Sequence, residues 1–172
     1  MRAYIREGDI YQANIAQSFS AELPYGFDAL AFHGALRSRN PAPFAAYLEL
    51  PGETVVSSSP ERFMALAGNA IETRPIKGTA RRAPDPAQDR QQAEVLLASV
   101  KDRAENVMIV DLLRNDLSRV AIADTVDAPV LCGLESYASV HHLVSVVTAR
   151  LRPNLDALDI VAACFPLSLI HI

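Results

Sequence analysis

The chain has no apolar run long enough to cross a membrane and no apolar segment at its start. A spanning helix needs roughly 18 or more predominantly apolar residues, and no stretch approaches that length. The opening residues, MRAYIREGD, lack the apolar core of a secretory signal. Nothing in the sequence therefore indicates a membrane protein or an exported one.

Cysteines and clustered basic residues are also scarce. The two cysteines, Cys132 and Cys164, lie far apart, and their spacing with His141 and His142 fits no zinc-finger pattern. The net charge is −4 and the basic residues are scattered, which argues against a nucleic-acid-binding surface. We therefore expect a cytoplasmic protein with reduced thiols that binds neither nucleic acid nor membrane.

What remains is an ordinary globular composition, 50% hydrophobic and 21% charged over 172 residues, which suits one domain or a piece of a larger one. The first part of the chain predicts a short helix, a turn at Gly8-Asp9, a strand from Tyr11 to Gln17 and a helix from Asp28 to Arg37. Short strands in an antiparallel meander, joined by turns at Pro51-Gly52 and Gly68-Asn69, follow at 44–50, 54–59, 61–68 and 70–74.

The second part of the chain predicts helices. Residues 77–89, KGTARRAPDPAQD, are interpreted as a proline-rich connecting loop with a helix N-cap at Asp85 or Asp89. A helical stripe then runs from Arg90 to Ala121, long enough to predict a bend or a second helix near residues 111–116. A strand over 125–131, an apolar region over 139–151 and a helix over 154–164 complete the pattern. Strands first and helices second predict an α+β fold.

Five motifs, in this order, resemble those of the chorismate-utilising enzymes. The resemblance extends from Tyr4 to about Pro166 and is carried by GDIYQANIAQ, SSSPERF, TRPIKGT, RAENVMIVDLLRNDLSRVA and VHHLVSVVTARL. It implies chorismate as the substrate. It also implies a partial chorismate-binding domain like that of anthranilate synthase, with antiparallel sheets and helices packed outside.

Lys77, in TRPIKGT, distinguishes the branches of that family. Without the resemblance it is interpreted as a solvated loop charge, because lysine is seldom buried and is protonated at neutral pH unless its pKa is lowered. The resemblance implies a different role. Relatives that make anthranilate or isochorismate have alanine here, and those that make 4-amino-4-deoxychorismate have lysine. In the latter the lysine is proposed to attack C2 of chorismate as the C4 hydroxyl leaves, before ammonia from a glutamine amidotransferase enters at C4.

The departing hydroxyl needs an acid within hydrogen-bond reach. Glu61, which follows Ser59-Pro60, matches the general acid of the family; taken alone, it is a turn glutamate paired with Arg62. His142 matches a histidine that bonds near the reacting ring, and a satisfied core histidine is the equal alternative. His141 is expected to point outward as its alternating neighbour.

The remaining expected site residues bind substrate and metal. Gly78, Thr79 and Gln12 are expected to bind the substrate. Glutamine at position 12, where the isochorismate branch has a lysine base nearby, disfavours water as the nucleophile. Glu105 matches a Mg²⁺ ligand whose partner glutamates belong to a later part of the family's chain. The polar run Asp111–Asp116 is interpreted instead as a buried, hydrogen-bonded brace between helix and sheet.

The expected function is therefore amination of chorismate to 4-amino-4-deoxychorismate, on the route to 4-aminobenzoate and folate. Anthranilate synthesis is the alternative enzyme function, and a catalytically inactive binding piece is the alternative from another class. Residues 1–166 are expected to be part of a longer domain, since the family's glycine-rich turn does not follow Cys164-Phe165-Pro166. Residues 167–172, LSLIHI, match the translation of a common sequencing adapter and are expected to be a non-native tail. An apolar helix end is the alternative.

Overall fold

A computed structural model describes residues 2–10, 13 and 15–166. The helices within these residues are α1 Arg2–Glu7, α2 Ala29–Arg39, α3 Pro86–Ala98, α4 Val100–Ser118 and α5 Ala157–Cys164. The strands are β1 Phe44–Leu50, β2 Glu53–Ser59, β3 Arg62–Ala67, β4 Ala70–Arg74, β5 Ile76–Arg81, β6 Asp127–Ser136 and β7 Val140–Arg150. All strand pairs are antiparallel, which confirms the predicted α+β class.

Strand β7 lies at the centre of the main sheet. Its Val144 pairs with Ile76 of β5 on one side and with Gly133 of β6 on the other. Its Thr148 pairs with β4 and with β6 in the same way. Strands β4 and β5 therefore lie end to end along one edge of β7, and β6 occupies the other edge. The β1–β2 and β3–β4 hairpins of the predicted meander are confirmed. The continuous meander is wrong, because β1 and β2 form a separate two-stranded sheet.

The predicted connecting loop that begins at Lys77 is wrong in its first part, because residues 76–81 form β5. Pro75 separates β5 from β4 without ending the sheet. It has no N–H to donate, but its carbonyl accepts a hydrogen bond from the Ser145 N–H at 3.1 Å. Pairing with the central strand β7 thus makes a strand of a segment that contains glycine and follows a proline.

The helix starts agree with the capping chemistry of the sequence. The Asp28 carboxylate accepts from the N–H groups of the first turn of α2 at 2.9 and 3.0 Å, and Asp85 caps α3 in the same way. The long helical stripe breaks at Ser99 and not near residues 111–116, where α4 is continuous. Ser99 serves both helices, because its N–H donates to Leu96 O at 3.1 Å and its hydroxyl accepts from Asp102 N at 3.3 Å.

Helices α4 and α5 cover one face of the sheet. The buried apolar side chains of this core are Ile71, Ile109, Val110, Leu113, Leu117, Val120, Val147, Leu151 and Ile160. Burying each side chain of this size contributes about 1.5–3 kcal/mol, so the layer holds the α4 helix against the middle of the sheet. None of the helices in the described ranges is both long and apolar enough to cross a membrane.

Two further expectations from the sequence fail. Residues 13 and 15–17 lie in no strand, since no other described strand pairs with them. Tyr11, Gln12 and Asn14, like residues 167–172, lie outside the described residues.

The polar run on α4 is mostly solvent-exposed, with Asp111 and Arg114 paired to each other at 3.0 Å. Of its four polar residues, Asp111, Arg114, Asn115 and Asp116, only Asp116 is buried, and it accepts from Arg119, the C-cap of α4. Consecutive residues of a helix point in different directions around its axis, so a contiguous run cannot all face the sheet.

Candidate active site

The two adjacent histidines of β7 lie on opposite faces of the sheet, because neighbouring strand residues alternate. His141 faces α3, where its Nε2 lies 3.1 Å from Asp89 Oδ1. Its side chain is only 4% exposed, so the expectation that it points outward is wrong. His142 is also buried and lies on the face away from α3.

Lys77 and Gly78 form a β-bulge in β5. Between the pairs Ile76–Val144 and Thr79–His142, strand β5 has one residue more than β7. Gly78 has φ +90°, and a Cβ atom there would lie 2.9 Å from Asp102 Cβ. Only glycine permits both the backbone angle and the close approach. The backbone that carries the half-buried Lys77 is thus fixed against the first turn of α4.

The carboxylate of Glu61 lies beside this bulge. Its Oε1 accepts a hydrogen bond from the backbone N–H of Ile76 at 2.7 Å, one residue before Lys77. The Ser59 hydroxyl accepts from Glu61 N at 3.3 Å and donates to Glu61 O at 3.2 Å, so the serine-proline turn fixes this position. Arg62 pairs with Glu72 at 2.5 Å and not with Glu61. Glu61 Oε2 has no hydrogen-bond partner in the part of the chain that is described.

Thr79 lies opposite His142 and touches it. The Thr79 hydroxyl and His142 Nδ1 are 2.9 Å apart. On the other side of the imidazole, the Tyr137 ring packs edge-on with its centroid at 5.6 Å. No local pattern indicates Tyr137 as a site residue, because its contact with His142 depends on how the turn between β6 and β7 closes. The imidazole is therefore held from two sides.

Glu105, the expected metal ligand, lies on α4. Its carboxylate is 47% exposed on α4, and its ionic contact is with Lys101 Nζ at 3.8 Å, one helical turn earlier. Across the described residues, no three His, Cys, Asp or Glu side chains gather as a metal site. The structure therefore places Lys77 and Thr79 on β5, His142 opposite Thr79 on β7, and the Glu61 carboxylate on the N–H of Ile76, whereas Glu105 lies on α4 and pairs with Lys101. Gln12 lies outside the described residues.

The helix–sheet brace that the sequence placed at 111–116 is made instead by Asn106. This side chain is fully buried, and its Nδ2 donates to Leu143 O of β7 at 3.1 Å. Its Oδ1 accepts from the Ser145 hydroxyl, which in turn accepts from the Cys132 N–H of β6 at 2.9 Å. One asparagine thus joins α4 to two strands with its polar atoms satisfied.

Asp89 forms a second junction, between α3, the end of β5 and β7. Arg82 Nε lies 2.8 Å from both carboxylate oxygens and Arg82 Nη2 lies 2.7 Å from Oδ2, while Ala83 N donates at 2.9 Å, besides the contact with His141 Nε2. The hydrogen-bonded guanidinium of Arg82 is the main reason why the pKa of Asp89 lies far below its ordinary range. The Ala83 N–H and His141 lower it further.

We expect Asp89→Asn to destabilise the protein in a pH-dependent way. A carboxylate whose pKa is depressed by folding contributes stability above its unfolded pKa and loses it as the pH falls. The difference in the urea midpoint between the natural chain and the variant should therefore be full at pH 7 and shrink steadily below about pH 4. Urea unfolding by circular dichroism at several pH values measures it. The matched Asp111→Asn, at an exposed pair, should show little difference; a constant Asp89 effect down to pH 2.5 would contradict the assignment.

The chain is similar to known proteins of one family. The family model for chorismate binding enzymes matches residues 1–168. Aminodeoxychorismate synthase component 1 of Salmonella typhimurium is 49% identical over 166 residues, and that of Escherichia coli 48%; each alignment covers 96% of this chain and 36% of the relative. This chain therefore spans about a third of the length of these relatives.

The fold comparison points the same way. Anthranilate synthase component I from Streptococcus pneumoniae TIGR4 superposes with a TM-score of 0.81 and 32% identity, over 94% of this chain and 35% of that one. Helices outside antiparallel sheets are thus arranged here as in a solved relative. On the family match and these identities, the chain belongs to the chorismate binding enzyme family.

Proposed function

We propose that this chain contributes the nucleophilic lysine, Lys77, and the general acid, Glu61, of an active site that aminates chorismate at C4 and yields 4-amino-4-deoxychorismate. The observation that carries the proposal is the position of Lys77 directly after Ile76, whose N–H holds the Glu61 carboxylate at 2.7 Å. A nucleophile and an acid thus come from one short stretch of the sheet. The names of the relatives at 48–49% identity support the same reaction.

The chemistry begins with the free amine of Lys77. Its nitrogen bonds to C2 of chorismate, both ring double bonds shift by one position, and the C4–O bond breaks. Glu61, in its acid form, gives its proton to the departing oxygen, which leaves as water. Ammonia then bonds to C4, both double bonds shift back, and the C2–N bond to Lys77 breaks. The new C4 ammonium group returns one proton to Glu61. Lysine is regenerated, and the sum is chorismate plus ammonia to 4-amino-4-deoxychorismate plus water.

The rigid surroundings of Lys77 suit a nucleophile. A reacting atom gains most when its attack geometry is fixed before substrate binds. The bulge and the contact of Gly78 with Asp102 fix the backbone on both sides of the lysine. Thr79 and His142, two positions further along the paired strands, provide polar groups for the substrate.

Glu61, Lys77, Thr79 and His142 supply neither the ammonia nor a Mg²⁺ site. The ammonia source would be a glutamine amidotransferase, either a separate subunit or a fused domain, on the route to 4-aminobenzoate and folate. Enzymes of this family generally use Mg²⁺. Among the described residues only Glu105 is placed as a ligand, and a single exposed carboxylate does not fit a complete Mg²⁺ site. No step is therefore assigned to the metal here.

Anthranilate formation is the second candidate. The superposition on the Streptococcus pneumoniae anthranilate synthase component I favours it, since the same scaffold carries that enzyme. The reactions differ in the carbon that receives nitrogen. A lysine that bonds to C2 leaves C4 for ammonia, whereas anthranilate requires ammonia at C2.

A hybrid enzyme tests the proposal. The aligned 166-residue segment of the Escherichia coli relative is replaced by the matching residues of this chain. With chorismate, ammonium and Mg²⁺, we expect 4-amino-4-deoxychorismate by mass spectrometry and no fluorescent anthranilate. The unmodified relative is the positive control.

Two results would contradict the proposal. One is anthranilate as the main product, and the other is an inactive but folded hybrid beside an active parent. Residues 1–172 alone, assayed in parallel, are expected to give little or no product, because the described residues hold only one of the expected metal ligands. Sustained turnover by the isolated chain would contradict that expectation.

A further inference from the structure

A chain of contacts extends from His142 through Tyr137 and Glu135 to Arg74 at the end of β4. The Tyr137 hydroxyl donates to Glu135 Oε2 at 2.7 Å. The other oxygen of Glu135 forms an ion pair with Arg74 at the end of β4. Glu135 itself lies directly opposite His142 in the β6–β7 register. The tyrosine that packs against the imidazole is thus anchored at both its ring and its hydroxyl.

The anchoring of Tyr137 does not depend on its own ionisation. The hydrogen bond to Glu135 is the main reason why the pKa of Tyr137 is raised, so the hydroxyl stays a donor throughout the neutral range. Its backbone is fixed as well, since Tyr137 N donates to Val140 O at 2.8 Å across the turn. The ring therefore has a defined place, 5.6 Å from the imidazole centroid.

The hydrogen bonds of His142 define which nitrogen is left for a ligand. Nδ1 is engaged by the Thr79 hydroxyl at 2.9 Å. Nε2 has no hydrogen-bond partner in the described part of the chain. The Thr79 hydroxyl can donate to Nδ1 or accept from it, and this role decides the tautomer of the ring. A neutral imidazole that accepts at Nδ1 carries its proton on Nε2.

We propose that Tyr137 is a positioning residue for His142: with Thr79, and through Glu135 and Arg74, it holds the imidazole as the Nε2–H tautomer, so that Nε2–H donates to an oxygen of the substrate. This inference rests on the proposed chorismate site and adds the residues that orient its histidine. A chorismate-type substrate carries carboxylate oxygens, which are strong acceptors for such a donor. A histidine free to rotate would lose that direction.

Nuclear magnetic resonance of the ¹⁵N-labelled 172-residue chain tests the orientation. At a pH where imidazoles are neutral, long-range ¹H–¹⁵N spectra distinguish the tautomers, and His142→Gln assigns the signals. We expect a single Nε2–H tautomer in the natural chain. In Thr79→Val and Tyr137→Leu we expect a mixture of the two tautomers. The ¹⁵N chemical shifts of His142 Nδ1 and Nε2 should therefore move towards their mean. Tyr137→Phe, which keeps the ring and loses only the hydroxyl bonded to Glu135, should give a smaller change in the same direction.

The controls separate positioning from general stability. Tyr4→Phe, at an exposed tyrosine of α1, should leave the His142 signals unchanged. If Tyr137→Leu and Tyr137→Phe both keep the natural tautomer, the positioning role is refuted, whatever reaction the hybrid enzyme performs. Chorismate should shift the Nε2–H signal of the natural chain and shift it less in Tyr137→Leu. No shift at saturating chorismate would refute the donor role, while the product formed by the hybrid enzyme tests the reaction separately.

Discussion

Lys77→Ala in the hybrid enzyme is expected to reduce formation of 4-amino-4-deoxychorismate by roughly a thousand-fold or more, since it removes the atom that forms the covalent intermediate. The backbone around the bulge should survive, because it is fixed by Gly78 and by the β5–β7 pairing and not by the lysine side chain. Steady-state rates with saturating ammonium, measured by mass spectrometry of the product, check the prediction.

Two further lysine variants make the test specific. Lys77→Arg keeps the positive charge but removes the nucleophilic amine, so we expect it to be as inactive as the alanine variant. Lys101→Ala changes the exposed lysine of α4, which is 81% accessible, and should keep most of the activity. Recovery of the rate by arginine would indicate an electrostatic role. An unchanged rate and product in Lys77→Ala would show that the nucleophile lies elsewhere.

Asn106→Ala is expected to lower the free energy of unfolding by about 3 kcal/mol, because buried groups that lose a partner cost about 1–3 kcal/mol each. The groups affected are Leu143 O and the Ser145 hydroxyl, both inside the layer between α4 and the sheet. Alanine also leaves a small cavity at a fully buried position. Urea unfolding followed by circular dichroism measures the loss.

Asn115→Ala is the matched control, on the same helix and in the same residue type. Asn115 is exposed, and its hydrogen bond to Ser118 uses the backbone carbonyl, which alanine retains. We expect a change within about 0.5 kcal/mol, as for most surface substitutions. Equal effects at the two positions would show that the buried network around Asn106 contributes nothing specific.

Much of the secondary structure follows from local chemistry. Asp28 and Asp85 mark the starts of α2 and α3, because a short acidic side chain satisfies the first free N–H groups of a helix. The alternation of residues 44–50 and the Pro51-Gly52 turn correctly predict the β1–β2 hairpin. These features depend on residues within a few positions of each other, so the sequence is sufficient for them.

The errors occur where a distant segment decides. Residues 76–81 look like a loop because of their glycine and the proline before them, yet β7 pairs with them and makes them a strand. His141 is buried because α3 brings Asp89 to it, and nothing near His141 in the sequence indicates that contact. Ser99 ends α3 through its N–H and caps the start of α4 through its hydroxyl. The helical spacing of apolar residues continues past it, so the sequence does not reveal the break.

Motifs and capping signals were enough to predict the family, the α+β class and the residue types of the candidate site, because each of them is contained in a short stretch of the chain. The contacts between those residues required the folded chain, which puts Glu61 beside the Lys77 bulge, Thr79 on His142, and Glu105 in a pair with Lys101. It also supplied Tyr137 and Asn106, whose roles come from strand register and helix packing. Contacts of that kind join residues far apart in the chain, and a pattern read along the chain does not contain them.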